Sequence, residues 1–141
     1  MDDTKYYYCT ACGNVIVKVH DSGVMPMCCM REMEEMVPGS TDGKIESHVP
    51  VCEKHGKRVE VCVGSNPHPM ERDHYIEWIE IVTDRGTQRR YLNPGDEPVA
   101  HFRMCDKEKL LGCYAYCNKH KLFRSECEES DDEEYDRYMD D

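Results

Sequence analysis

Between residues 59 and 63 the chain alternates strictly. Val59, Val61 and Val63 are separated by Glu60 and Cys62, the two-residue period of a strand with one buried face. With "HVPVCEKHG" ahead of it, this pattern predicts a hairpin that turns near His55-Gly56. "HYIEWIEIV" reads as another strand, but its alternation slips at Trp78-Ile79, which calls for a bulge or for burial on both faces. "TDRGTQRRYLNPGDEPVAHFRM" supplies turn, strand, turn, strand, and "LLGCYAYCNKHKLF" closes the set. Short strands punctuated by Gly, Pro and Asn predict a small antiparallel sandwich, with no helix of note and no repeat. Upstream, "YYYCTACGNVIVKVHDSG" reads as a strand, a tight Cys-x-x-Cys-Gly turn and a second strand. "VMPMCCMREMEEMV" follows, its methionines expected to pack against this small module. So short a stretch cannot bury a core, so a metal is expected to hold it together. "PGSTDGKIES", residues 38–47, is rich in turn formers and reads as a linker and exposed loop.

Length and charge narrow the function classes. A chain of 141 residues supports one modest domain, or a small module joined to a compact one. The formal charge is −11, and residues 126–141, with ten acids and one Arg, carry −9 of it, which leaves −2 on the other 125 residues. That body has no basic stripe for nucleic acid, and the acidic end is expected to be a solvated, disordered tail. No apolar run approaches a membrane span. The start, "MDDTKYYYC", lacks the basic and apolar regions of a secretory signal, so a cytoplasmic location is expected. In that compartment ten cysteines are expected to stay reduced, and metal ligation becomes the leading use for them.

Two constellations carry the chemistry. Cys9 and Cys12, followed by the adjacent Cys28 and Cys29, offer four thiolates, a tetrahedral set suited to either zinc or iron. The second is dispersed: His48, His68, His74, Cys117 and His120 sit at strand ends or loops, where separate strands can converge. Four imidazoles and one thiolate exceed the four ligands of structural zinc and point toward iron with one open position. The first four cysteines complete their own site, which disfavours half a zinc finger at Cys117 and His120. A nucleophilic Cys/His pair remains open as an alternative, although no oxyanion hole or orienting acid is evident.

The stretches "YCTACGN", "CC", "HVP", "GSNPHPM", "HYIEWIEI" and "YCNKH", in this order and spacing, resemble desulfoferrodoxin, the two-iron superoxide reductase family. The resemblance covers about residues 5–124. It implies a mainly β protein, with a desulforedoxin-like four-cysteine iron module over residues 1–36 and an immunoglobulin-like antiparallel β-sandwich over 37–125; the acidic tail over 126–141 lies outside the resemblance. It implies two irons per chain. Cys9, Cys12, Cys28 and Cys29 would hold one; His48, His68, His74 and His120 would be equatorial ligands of the other, with Cys117 axial. Glu46 matches the family glutamate that occupies the open position of the oxidised centre. The implied activity is one-electron reduction of superoxide to hydrogen peroxide without dismutation, in a homodimer supplied by a rubredoxin-type donor.

One departure stands out. The family's lysine just before the first ligand histidine is Ser47 here, and Lys44 and Lys119 are the expected substitutes in attracting superoxide and supporting proton delivery. Cys52, Cys62, Cys105, Cys113 and Cys127 match no family ligand and are expected to be reduced thiols. Cys113 and Cys117 share a strand face, but four residues of strand span roughly 13 Å, too far to share an ion. His20, His55 and His101 are expected at the surface, and Trp78 in the core. Two other classes stay open: a rubredoxin-like electron carrier without catalysis, and a zinc-stapled binding module whose acidic tail meets a basic partner.

Overall fold

The computed structural model describes residues 4–39, 48–64 and 69–127. It is essentially all β. Strands β1 (Tyr6–Tyr8), β2 (Val15–Val17), β3 (Met27–Cys28), β4 (Arg31–Glu32) and β5 (Glu34–Glu35) form the N-terminal part. Next come β6 (Pro50–His55), β7 (Arg58–Val63), β8 (Ile76–Thr83), β9 (Gly86–Tyr91), β10 (Val99–Arg103), β11 (Leu110–Cys117) and β12 (Lys121–Ser125). The later strands make two antiparallel sheets, ordered β10-β7-β6 and β12-β11-β8-β9, while β2-β1-β5 and the β3-β4 hairpin stand ahead of them.

The alternation read at residues 59–63 is what buries the sandwich. Val59, Val61 and Val63 point inward with Ala100 and Phe102, against Ile76, Ile79, Ile81, Cys113, Ala115 and Cys117 of the facing sheet. Full burial of each such aliphatic side chain contributes about 1.5–3 kcal/mol. The predicted turn is observed: β6 ends at His55, β7 begins at Arg58, and Gly56 takes φ +63°.

The slip at Trp78-Ile79 has both expected causes. Tyr116 pairs with Trp78 while Cys117 pairs with Ile76, so the ladder skips Glu77, the signature of a bulge. The outer face of the same sheet is also covered: Trp78, Val82, Tyr114, Tyr116 and Leu122 pack with Tyr6 of β1 and with Val15 and Val17 of β2. Tyr6 donates a hydrogen bond of 2.8 Å to Glu80, which is buried and paired to Arg89 at 2.9 Å. The N-terminal strands therefore lie against the sandwich through an aromatic layer. Trp78 is core, and His20, His55 and His101 are exposed, as expected.

Two expectations need correction. Cys52 and Cys127 are not reduced thiols but form a disulfide, with Cα atoms 5.2 Å apart across a separation of 75 residues. Contact between the two sheets brings them together: β12 lies beside β6 without pairing with it, Cys127 follows β12 closely, and the Ser125 hydroxyl on that strand donates to the Pro50 carbonyl at the head of β6. The methionines also divide. Met33 is buried, and Met36 packs against the aromatic layer, but Met27 and Met30 are exposed.

Candidate metal centres

The first centre is built by a hairpin. Met27 pairs with Glu32 and Cys28 with Arg31, leaving a two-residue turn, Cys29-Met30. Both turn residues have positive φ, +54° and +62°, as a turn matched to strand twist requires. Neither is Gly or Asn, so each costs on the order of 1–2 kcal/mol. This strained turn aims two neighbouring thiols at one point. Opposite it, Cys9 and Cys12 flank a loop closed by the Gly13 N–H on the Cys9 carbonyl at 2.8 Å.

The four sulfurs lie within 4.8 Å of one another. Cys12 and Cys28 are 3.6 Å apart, and Cys28 and Cys29 3.9 Å. Tetrahedral thiolates at about 2.3 Å from one ion would sit roughly 3.8 Å apart, so the donor set fits a metal of that size. The Cys12 amide directed at Cys9 lowers its thiol pKa to about 6. Cys28 and Cys29 are pushed up, chiefly by hydrogen bonding with the Cys12 thiol. Four thiolates this close cannot all ionise without a cation among them. Asn14 adds a contact from its amide to the Cys28 sulfur at 3.6 Å.

The second centre gathers His48, His74, Cys117 and His120, whose donor atoms also lie within 4.8 Å of one another. Cys117 ends β11 at the inner face, just beyond the bulge. The three-residue turn after it closes with Lys121 at φ +66° and returns His120 beside Cys117. His120 Nδ1 is 2.9 Å from His48 Nε2 and 3.8 Å from the Cys117 sulfur. Two nitrogens bound at right angles at about 2.1 Å would be roughly 3 Å apart. His48 is buried, its ring stacked at 4.8 Å on Phe123.

Asn118 sets His74 against this turn. Its Oδ1 accepts from the Tyr75 N–H at 3.0 Å, its Nδ2 donates to the Asp73 carbonyl at 3.0 Å, and its own N–H reaches the Tyr75 carbonyl at 3.2 Å. Asp73 and Tyr75, the residues on either side of His74, are thereby tied to the segment that carries Cys117 and His120. Burial lowers the His74 pKa, helped by the nearby His120 and Lys119, so the ring is held neutral and able to donate a lone pair. Burial raises the Cys117 pKa, although the Lys119 and His120 amides point at its sulfur and oppose the rise. A bound cation is what would release that proton.

Lys119 is exposed in the turn between Cys117 and His120. Lys44, Glu46, Ser47 and His68 lie outside the described residues. Sequence reasoning missed Asn118 and Phe123. Asn118 stood inside the quoted "YCNKH", but its role depends on which backbone it faces, and nothing in the spacing reports that.

Residues 40–126 match the family model described as Desulfoferrodoxin. A desulfoferrodoxin homologue of Archaeoglobus fulgidus is 44% identical over 119 residues, 84% of this chain and 94% of that protein. The desulfoferrodoxin of Nitratidesulfovibrio vulgaris is 42% identical over 120 residues, 85% and 94% of the two chains. The chain belongs to the desulfoferrodoxin family. Among solved structures, the superoxide reductase from Treponema pallidum superposes with a TM-score of 0.74 at 27% identity, over 89% of this chain and all of that one. Membership in the desulfoferrodoxins implies iron, and the donor sets agree: four thiolates suit iron or zinc, and imidazoles joined by one thiolate suit iron.

Proposed function

We propose that the protein is a superoxide reductase, reducing superoxide by one electron to hydrogen peroxide without dismutation. The observation that carries this reading is the convergence of three imidazoles and one thiolate at the C-terminal end of β11, in a chain of this family. A curated superoxide reductase of Pyrococcus abyssi, 38% identical over 104 residues, which are 62% of this chain and 90% of that protein, supports it. In our assignment His48, His74, His120 and Cys117 hold the catalytic iron together with His68. Cys9, Cys12, Cys28 and Cys29 hold a second iron, giving two per chain. Residues 1–36 form the four-cysteine module, 37–125 the catalytic sandwich and 126–141 the acidic tail.

Iron held by four neutral imidazoles and one thiolate supplies an accessible cation and one electron for a small anion. The chain's residues prepare that site. The low pKa of His74 keeps its ring an uncharged ligand, and the amides of Lys119 and His120 favour the thiolate of Cys117. His48, stacked on Phe123 and buried, shields one side from water. Glu46 is assigned to the open position in the oxidised state, where it would keep other anions out. Lys44 and Lys119 are assigned to drawing superoxide in, with Lys119 exposed beside the ligand turn. The −11 net charge opposes approach only weakly, because screening acts beyond about 8 Å at physiological salt. The remaining assignments are a rubredoxin-type electron donor, a homodimer and a cytoplasmic location.

Anaerobic purification followed by metal analysis and rapid mixing with superoxide tests the reading. It requires two irons per chain and fast loss of superoxide by the reduced protein. Zinc as the sole metal would sink it and leave a stapled binding module. Two irons with no loss of superoxide would leave the electron carrier.

A further inference from the structure

Away from both centres, a third group of sulfurs meets at the seam of the sandwich. Cys52, Cys113 and Cys127 lie with their sulfurs within 4.8 Å of one another, and the structure bonds Cys52 to Cys127. Cys113 is fully buried in the core, against which the other two pack half-buried. The three differ in how they are held. Cys52 is within β6 and Cys113 within β11, both fixed in hydrogen-bonded ladders. Cys127 lies beyond the last residue of β12, so its backbone owes nothing to a ladder and it can turn toward either neighbour. Cys113 pairs in register with Ser125, only two residues before Cys127, and its sulfur is 3.2 Å from the Ser125 hydroxyl.

We propose that Cys52, Cys113 and Cys127 form a peroxide-reactive thiol site, in which Cys127 is the shared sulfur, Cys52 its first partner and Cys113 its reserve partner. The oxidant is hydrogen peroxide, and its local origin rests on the function proposed above, whose product it is. An ionised half-buried thiol, Cys127 or Cys52, attacks one peroxide oxygen. The O–O bond breaks, a sulfenic acid forms, and hydroxide leaves to take up the proton lost on ionisation. The partner thiol then attacks the sulfenic sulfur, the S–S bond forms and a second water departs. Two electrons pass from the two sulfurs to one peroxide, giving two waters, and a small-molecule dithiol supplies two electrons to reset the pair.

Burial raises the Cys113 thiol to about 11, so it stays protonated and is not the first attacker. Its place is to resolve a sulfenic acid on Cys127 when Cys52 is spent. Closing the bond ties the strand that follows His48 to the segment that follows β12, whose start is Lys121, next to His120.

The test uses the full-length, iron-loaded protein, reduced with a dithiol, desalted anaerobically and given one equivalent of hydrogen peroxide. Alkylation after denaturation and peptide mapping should find a Cys52–Cys127 cross-link with the loss of two alkylatable thiols per chain. In Cys52→Ser the cross-link should move to Cys113–Cys127, and in Cys113→Ser it should stay at Cys52–Cys127. Should Cys52→Ser fail to fold by circular dichroism, Cys52→Val carries the same test. Recovery of Cys52 and Cys127 as free thiols, or singly as sulfinic or sulfonic acids, would overturn the proposal. So would a folded Cys52 variant that forms no Cys113–Cys127 bond. Because peroxide is added, neither result depends on whether the protein makes it from superoxide.

Discussion

At the scale of single residues, the second centre depends on a side chain that binds no ion. Asn118 makes two side-chain hydrogen bonds to the backbone of residues 73 and 75, and so fixes His74 relative to Cys117 and His120. Each such bond contributes about 1 kcal/mol. Asn118→Ala should therefore lower stability by roughly 2 kcal/mol, and it should also speed the loss of iron to a chelator, because one ligand is no longer held toward the others. Chemical denaturation and chelator kinetics read the two effects. A variant that loses stability but retains iron as the wild type does would show that His74 is positioned by other contacts. This is the scale at which the sequence was least legible. The ligating types were visible because few residues bind iron, whereas Asn118 and Phe123 have ordinary chemistry and act only through where the fold sets them. The Cys52–Cys127 disulfide was hidden for the same reason, since a separation of 75 residues carries no spacing signal.

Among elements, the strands were legible wherever one face met water. Val59, Val61 and Val63 announced β7 by alternation, and the turn before it by Gly56. β8 was harder to read, because the bulge at Glu77 and the burial of both faces blur the period, and either alone would have accounted for the slip. The β3–β4 hairpin could not be read at all. Its turn, Cys29-Met30, has none of the residues that favour positive φ, because the need for two adjacent sulfurs overrides turn preference. That conflict is testable at Met30, which is fully exposed and stands at φ +62°. Met30→Gly removes the left-handed penalty and no packing, and should raise the stability of the metal-loaded protein by about 1 kcal/mol. A shift of the denaturation midpoint to lower denaturant would show that the residue does not adopt this conformation in solution.

For the whole molecule, the N-terminal strands and the sandwich are joined through Tyr6, Trp78, Tyr114 and Tyr116, with the buried Glu80 held between Tyr6 and Arg89. Arg89→Ala would strand a carboxylate that is 1% exposed and should cost about 3 kcal/mol. Tyr6→Phe removes one hydrogen bond and should cost about 1 kcal/mol. Equal effects from the two, measured by denaturation, would show that Glu80 is reached by water when Arg89 is gone. The activity proposed for the joined structure is reduction of superoxide without dismutation. Product stoichiometry on rapid mixing of the reduced protein with superoxide tests this most directly. We expect one hydrogen peroxide for each superoxide consumed, one reducing equivalent lost from the protein, and no oxygen evolved. One peroxide for every two superoxide, with oxygen released and the protein left reduced, would contradict it.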